Sequence, residues 1–314
     1  MDTSMDTNMD TNMDSDKIGC IGFIGLGVMG EPMCHNLHKK SGRAVIAYDI
    51  DPAPLERARE AKLAVADSLE DIAKNCGTIF ISMPSGVQLA EVCAGLKPHM
   101  KSGQTIVDTT TAPVALTKEL AGEFEALGID YADAPVARTR QAARDGTLAV
   151  MVGAQEEVFA RIQPLIACYG NDITHCGPVG SGQVVKILNN MIVAETVNAV
   201  AEALTIGRRA GLDGALLLET LSKGSADSFV LRNHGLKAML PGIFPLRAFS
   251  VNYMIKDIKY ALDLAEETGV EVKAARTTNE ILEEAAKGPL AAAYFPALLA
   301  VIDPTIEAQT PDGD

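Results

Sequence analysis

A glycine-rich turn near the N-terminus is the feature that most constrains how this chain can fold. An apolar run, Ile18–Ile24, leads into the turn, and residues 31–39 follow it with a helical pattern. A second apolar run, 44–48, ends in an acidic residue, Asp49. The turn itself consists of Gly25, Leu26, Gly27, Val28, Met29 and Gly30. Strand, glycine turn, helix, strand and acid therefore follow one another in the spacing of a dinucleotide-binding unit.

Each residue type in this unit has a separate physical task. Gly25 permits a sharp turn, Gly27 lets a pyrophosphate approach the backbone, and Gly30 lets the helix pack close to the strand. The start of the helix offers N–H groups and a positive dipole end to the phosphates. Asp49 stands where a carboxylate accepts the ribose hydroxyls of NAD and repels the 2′-phosphate of NADP. The unit therefore predicts a bound NAD, with NADP disfavoured.

Composition and charge exclude several other classes of protein. The formal net charge of −14 over 314 residues argues against nucleic acid or an anionic membrane as a partner. No uninterrupted apolar run reaches the roughly 18 residues that cross a bilayer, and the acidic N-terminus is not a secretory signal. The six cysteines form no C-x-x-C or His/Cys cluster, which predicts no metal site. We therefore expect a cytoplasmic protein with reduced thiols.

Alternating strand-like and helical segments continue to about residue 179, and helical segments alone follow. We predict an α/β fold with a disordered tail at 1–16, a Rossmann-like NAD-binding domain at 17–179 and an all-α domain at 180–314. The second domain begins with a long apolar helix from Gln183 to about Arg209. Apolar surface on that helix predicts a homodimer or homotetramer. Shorter helices are predicted over 212–221, 251–267, 272–287 and 291–301.

Two loops follow predicted strands at the edge where an open α/β sheet binds its ligand. Residues 83–88, which follow the strand 78–82, are predicted to line the cofactor site. Residues 108–113 follow the strand 104–107 and carry three threonines. Their hydroxyls either bond the nicotinamide side of the cofactor or only cap the next helix.

Three arginines occur within seven residues of an otherwise acidic chain, after the predicted strand 129–133. Guanidinium groups suit carboxylate, phosphate or sulfonate oxygens. We interpret Arg140 and Arg144 as ordinary surface residues. Arg138 lies nearest the strand end and is predicted to bind an anion.

The long helix carries a polar group of side chains on an otherwise apolar segment. Lys186, Asn189 and Asn190 occupy positions i, i+3 and i+4, so they share one face. A lysine and two amides in apolar surroundings are costly unless they have partners. This group therefore predicts a functional site.

Four segments in order resemble the motifs of the β-hydroxyacid dehydrogenases, the group that contains 3-hydroxyisobutyrate dehydrogenase and tartronate semialdehyde reductase. The segments are GFIGLGVMGEPMCHNL, DAPVARTRQAARDGTL, GPVGSGQVVKILNN and FSVNYMIKDIKYALDLA. The resemblance covers nearly all of residues 18–300. It implies an active site in a cleft between two domains, with Lys186 as the catalytic lysine and Asn190 supporting it. It also implies cofactor contacts from Met83, Pro84, Gln88, Thr111 and Lys256.

One segment departs from the family pattern. The family usually has Ser-Gly-Gly after Asp-Ala-Pro-Val, whereas this chain has Ala137, Arg138 and Thr139. Ala137 supplies no hydroxyl for a substrate carboxylate. Sulfolactaldehyde reductases have Gly-Arg-Thr-Ser in this loop, with the arginine on a sulfonate, but Ala137, Arg140 and Val193 differ from that subgroup. Both a carboxylate and a sulfonate substrate stay open.

The resulting hypothesis is reversible hydride transfer between NAD and the hydroxyl carbon of a small anionic β-hydroxyacid or semialdehyde. Lys186 exchanges the proton, Asn190 supports it, and Arg138, Thr139 and Asn189 fix the anionic end of the substrate. An imine reductase-like enzyme is one alternative. A non-catalytic nucleotide- or peptide-binding module on the same scaffold is another.

Overall fold

The computed structural model describes residues 19–246 and 248–312. The predicted disordered tail, 1–16, lies outside the described residues. The chain divides into two compact units, with the division between Lys186 and Ile187. Each unit has its own buried apolar residues.

The first unit is built on one sheet, which has nine strands among the described residues. They are β1 (Ile21–Ile24), β2 (Val45–Tyr48), β3 (Ala64–Val65), β4 (Thr78–Ile81), β5 (Thr105–Asp108), β6 (Asp130–Asp133), β7 (Val136–Ala137), β8 (Leu148–Gly153) and β9 (Gly170–Gly177). The spatial order is β3-β2-β1-β4-β5-β6-β8-β7, and β9 pairs with β8.

Strands β1 to β6 run parallel in this order, whereas β8 is antiparallel to β6 and β7. The central strands are short apolar runs buried on both faces, as parallel strands covered by helices require. β1 illustrates this, because all four of its residues are buried. The carboxyl ends of β1, β2, β4 and β5 therefore lie along one edge of the sheet.

Helices connect the strands of the first unit. They are α1 (Gly30–Lys40), α2 (Pro52–Glu60), α3 (Leu69–Asn75), α4 (Gly86–Leu96), α5 (Val114–Glu125), α6 (Arg140–Asp145) and α7 (Glu156–Ile166), with a 3₁₀ turn at Lys97–His99. Local sequence explains several starts. Asp51, Ser68 and Ser85 each accept a backbone N–H of the helix that follows, which satisfies one of its unpaired donors.

The long helix α8 (Ser181–Arg209) begins in the first unit and continues into the second. The other helical elements of the second unit are α9 (Gly214–Leu221), a π-helix (Leu231–Met239), α10 (Val251–Glu267), α11 (Lys273–Ala286), 3₁₀ turns at Pro289–Ala292 and Phe295–Leu298, and α12 (Leu299–Ile302). Their apolar faces form one core around Leu204, Met239, Phe244 and Leu282, each 0% exposed. The α/β class with a helical C-terminal part is confirmed.

The predicted helix over 291–301 is wrong. This stretch instead consists of two 3₁₀ turns and the single turn of α12. Pro296 lies inside it, and a proline removes a helical hydrogen bond and clashes with the preceding turn. Four apolar residues of this stretch are buried although it forms no continuous α-helix: Phe295, Ala297, Leu298 and Leu299.

The length and hydropathy of α8 would, by those measures alone, let it cross a membrane. Of its most apolar stretch, 44% is buried inside the protein. The core helix of a soluble protein meets the same two criteria, so this is weak evidence for a membrane. The helix also leaves Val185, Leu188, Ile192 and Ile206 exposed.

Candidate active site

Two glycines of the turn after β1 have no room for a side chain, whereas the third faces open space. Gly25 has a φ of +93°, and a Cβ there would lie 2.2 Å from the Ser82 carbonyl oxygen. A Cβ on Gly30 would lie 1.9 Å from the Gly25 carbonyl oxygen. A Cβ on Gly27, in contrast, would meet no atom within 4 Å. The turn therefore leaves free the approach that a pyrophosphate needs.

The start of α1 is also suited to binding a pyrophosphate. Met29, at the N-cap, makes no side-chain hydrogen bond to the helix. Val28 beside it is 53% exposed, whereas Leu26 points into the core. An uncapped helix start beside an open glycine backbone can bind an anion through its N–H groups. The residues of the turn thus fit the diphosphate of a dinucleotide.

Asp49 follows β2 and is fixed beside the turn. One carboxylate oxygen, Oδ2, accepts the Leu26 N–H at 2.6 Å, and Oδ1 accepts the Asp51 N–H at 2.9 Å. Each oxygen has a further lone pair for a ribose hydroxyl. The predicted ribose acceptor therefore lies one strand from the predicted phosphate site.

The loops after β4 and β5 are bonded to each other. The Met83 N–H donates to Thr110 Oγ1 at 3.0 Å, and Thr109 Oγ1 donates to the Ile81 carbonyl at 2.9 Å. Neither threonine caps α5, whose N-cap is Pro113 without a side-chain bond. The capping interpretation is therefore wrong for Thr109 and Thr110, whose hydroxyls hold the two loops together. Next to Pro84, Ser85 donates to the Gln88 side chain at 2.5 Å.

A buried carboxyl lies beneath these loops. Asp108, at the end of β5, is 0% exposed. Its Oδ1 accepts the Thr110 N–H at 2.9 Å, and its Oδ2 accepts the Tyr131 hydroxyl at 3.2 Å. Burial raises the pKa of Asp108 to about 7, and the nearby Asp133 carboxyl acts in the same direction. The hydrogen bonds to Asp108 act in the opposite direction but have the smaller effect. Burial also raises the pKa of Asp133, to about 6.

These two carboxyls predict a pH-dependent stability. Because their pKa values are raised on folding, the folded protein retains protons that the unfolded chain releases above about pH 4. The contribution of these two carboxyls to the free energy of unfolding should therefore fall as the pH rises from about 4, up to about pH 6 for Asp133 and about pH 7 for Asp108, by at most about 1.4 kcal/mol per pH unit for each group. Burial lowers the pKa of His234 to about 4, which gives the opposite slope below about pH 6.5, so the part due to one carboxyl is the difference between wild type and its variant. Urea unfolding at several pH values measures this slope. Asp108→Asn should flatten it, and an unchanged slope in that variant would contradict the assignment.

Arg138 does not stand free for an anion. Its Nη1 donates to the Thr147 carbonyl at 2.6 Å and to Asn171 Oδ1 at 2.8 Å, and its Nη2 pairs with Asp172. Its φ of +91° lies in the region that favours glycine, where the family pattern has a glycine. In this structure the guanidinium therefore links its loop to β9. Its role as a substrate clamp stays a prediction that requires this pair to open.

Neighbouring residues of that loop have local partners as well. Thr139 is the N-cap of α6, where its Oγ1 accepts the Ala142 N–H at 3.2 Å. Its hydroxyl proton can still be donated, so a substrate contact is compatible with the cap. Arg140, interpreted as an ordinary surface residue, is partly buried, and burial lowers its pKa.

The polar group on α8 is organised around Asn190. This residue is 6% exposed, and its Nδ2 donates to Asp257 Oδ2 at 2.6 Å. Its Oδ1 accepts Asn189 Nδ2 at 3.0 Å. Lys186 is partly buried, one helical turn before Asn190 on the same helix. The helix therefore presents an amine and an oriented carboxamide in sequence along one face.

Asp257 is a further candidate site residue, which the sequence analysis did not name. Asp257 is 1% exposed, and its Oδ1 forms an ion pair with Lys256 Nζ at 2.9 Å. The geometry of this ion pair does not make it a hydrogen bond. The Lys256 ammonium also lies 5.5 Å and 5.1 Å from the ring centres of Tyr253 and Tyr260. The sequence contained a signal, since Asp257 falls among the apolar positions of α10 that face the core.

Comparisons with known proteins agree with this geometry. Residues 20–177 match the NAD binding domain of 6-phosphogluconate dehydrogenase. Residues 180–302 match a family described as NAD-binding of NADP-dependent 3-hydroxyisobutyrate dehydrogenase. The mitochondrial 3-hydroxyisobutyrate dehydrogenase of Rattus norvegicus is 36% identical over 272 residues, covering 83% of this chain and 80% of the relative. The chain belongs to the β-hydroxyacid dehydrogenase family.

Other members of the β-hydroxyacid dehydrogenase family are similarly close. The 2-hydroxy-3-oxopropionate reductase of Escherichia coli is 35% identical over 269 residues, covering 85% of this chain and 91% of the relative. A structure of Mycobacterium tuberculosis 3-hydroxyisobutyrate dehydrogenase with L-serine superposes with a TM-score of 0.84 at 26% identity. It covers 91% of this chain and 99% of that one. Membership implies a nicotinamide cofactor, while the oligomeric state and the cytoplasmic location stay predictions.

Proposed function

We propose that this protein transfers hydride reversibly between NAD and the hydroxyl carbon of a small β-hydroxy acid that carries a carboxylate. The observation that carries the proposal is the pair on α8, in which Asn190 is held by Asp257 one turn after Lys186. A module that only binds nucleotides has no need of an amine followed by a locked carboxamide.

The roles of the residues follow from their donors and acceptors. When bound, NAD supplies or accepts the hydride at the nicotinamide ring. Lys186 gives a proton to the substrate carbonyl oxygen in reduction and removes it in oxidation. Asn190 has two N–H donors, of which one is donated to Asp257. The second can donate to the reacting oxygen and fix the substrate beside Lys186.

A carboxylate is favoured over a sulfonate for two reasons. The rat relative is named for 3-hydroxyisobutyrate and the Escherichia coli relative for 2-hydroxy-3-oxopropionate, which are both carboxylates. The arginine that suggested a sulfonate is paired with Asp172 in this chain. Thr139 and Asn189 remain as candidate donors to the acid group.

A substrate panel tests the proposal through the absorbance of NADH at 340 nm. Purified protein is mixed with NADH and either tartronate semialdehyde, the semialdehyde of 3-hydroxyisobutyrate, sulfolactaldehyde or a cyclic imine. We expect turnover with a carboxylate semialdehyde. Turnover with sulfolactaldehyde alone would move the substrate class to sulfonates, and turnover with the imine alone would favour an imine reductase. Cofactor binding without any turnover would favour a binding module.

We also propose that the enzyme prefers NAD to NADP, because the Asp49 carboxylate lies where a 2′-phosphate would bind. Asp49→Ser should weaken NAD about 10- to 100-fold, since hydrogen bonds to a charged group contribute roughly 1.5–3 kcal/mol. NADP should weaken less, because the repulsion of its phosphate is removed at the same time. Kinetic titration of both cofactors gives the ratio.

Glu60→Ser is the matched control, because Glu60 is exposed at the end of α2 that lies opposite the cofactor edge of the sheet, so both cofactor affinities should stay unchanged. An NAD-to-NADP ratio that is the same in wild type and Asp49→Ser would refute the assigned role of Asp49.

A further inference from the structure

Gln183 is a buried carboxamide that the mechanism above does not use. It lies near the start of α8, three residues before Lys186, and is 0% exposed. Its Nε2 donates to the Thr110 carbonyl at 2.7 Å, and its Oε1 accepts the Ala112 N–H at 3.1 Å. Both ends of the carboxamide are therefore bound to the same short loop after β5.

That loop is part of the predicted cofactor site. It contains Thr111, and Thr110 Oγ1 in turn accepts the Met83 N–H of the loop after β4. A side chain that holds residues 110–112 therefore holds, through Thr110, the backbone of Met83 as well. Gln183 reaches this region from the helix that carries Lys186.

The backbone at the start of α8 is anchored independently. Asp133, 0% exposed at the end of β6, accepts the Gly180 N–H at 2.6 Å through Oδ1 and the Gln183 N–H at 2.8 Å through Oδ2. A Cβ at Gly153 or Gly182 would lie 2.4 Å or 2.7 Å from these carboxylate oxygens. The helix start is thus fixed to the sheet, and the Gln183 side chain is aimed from a rigid base.

We propose that Gln183 is a positioning residue, which sets the distance between the cofactor-facing loop 110–112 and the amine of Lys186. Three helical residues separate the two side chains by about 4.5 Å along the axis. A shift of the loop relative to the helix therefore becomes a shift between the bound cofactor and the proton donor. This inference rests on the proposed function, in which Lys186 exchanges the substrate proton.

Two substitutions separate positioning from general stability. Gln183→Ala removes both hydrogen bonds and should lower kcat about 10- to 100-fold, because misplacement by about 1 Å can cost that much. The KM for the substrate should change little, since Gln183 does not touch it. Asn198→Ala is the matched control. Asn198 is also a buried carboxamide on α8, but its Nδ2 bonds to Glu202 on the same helix, so this variant should retain kcat.

Gln183→Glu provides a pH signature that a purely structural role would not give. The introduced carboxyl keeps the size of the side chain and still accepts the Ala112 N–H. It must be protonated to donate to the Thr110 carbonyl, and burial favours that neutral form. We therefore expect kcat near the wild-type value at low pH and a fall as the pH rises, beyond any fall in wild type. A wild-type kcat in Gln183→Ala, or a Gln183→Glu enzyme that is no more active than Gln183→Ala at low pH, would overturn the proposal.

Hydrogen exchange keeps this test separate from the proposed function. In Gln183→Ala the Ala112 amide should lose its protection, whereas Asn198→Ala should leave it protected. If the wild-type enzyme turns over no substrate in the panel, the proposed function fails while the exchange result still tests the link. If the Ala112 amide stays protected in Gln183→Ala, the link fails even though the enzyme is active.

Discussion

Lys186→Ala should lower kcat by about 100- to 10,000-fold, the range that a positioned acid–base group contributes. The affinity for NAD should stay close to that of wild type, because the glycine turn and Asp49 are unchanged. The expected pattern is therefore a loss of kcat with an intact cofactor. Steady-state kinetics with the best substrate of the panel and a titration of NADH fluorescence measure the two quantities.

Two controls make the Lys186 result specific. Lys186→Arg keeps the positive charge but holds its proton too tightly to exchange it, so it should also be inactive. Lys74→Ala removes an exposed lysine whose partner is Glu70 one turn away, and it should have wild-type kinetics. A Lys186→Ala enzyme with wild-type kcat would show that another group exchanges the proton.

Asp257→Ala should have the largest effect on stability. Removing one member of a fully buried charge pair typically costs about 3–5 kcal/mol, because the other charge loses its partner. Asp257 is buried, but the Lys256 side chain is 22% exposed, so we expect the lower end of that range. Here Lys256 would lose its ion pair and Asn190 the acceptor for its Nδ2. We expect a lower midpoint of urea unfolding and, under conditions where the protein is folded, a lower kcat, because Asn190 is no longer fixed.

Asp257→Asn distinguishes the two consequences. Its amide oxygen can still accept the Asn190 N–H, while the charge opposite Lys256 is lost. It should therefore retain more of kcat than Asp257→Ala does. Asp263→Ala, an exposed position on the same helix, should change the free energy of unfolding by no more than about 0.5 kcal/mol. If kcat is the same in Asp257→Ala and wild type, Asp257 does not contribute to the reaction.

Much of the fold was predictable because its signals are local. The alternation of apolar runs with amphipathic segments indicated an α/β unit followed by helices, and the structure has both. The helix predicted over 291–301 is wrong for a local reason as well, because Pro296 interrupts helical hydrogen bonding inside this stretch. The antiparallel β8 beside β6 was not predictable, since pairing depends on contacts between distant segments.

The sequence by itself determined the nucleotide-binding turn and the polar face of α8. In both cases the residues that act together are neighbours along the chain, so spacing fixes their geometry. The tertiary structure decided which side chains meet: Arg138 with Asp172, Asn190 with Asp257, and Gln183 with Thr110 and Ala112. These partners are separated by tens of residues, and only the order of the strands and the packing of the helices brings them within hydrogen-bond distance.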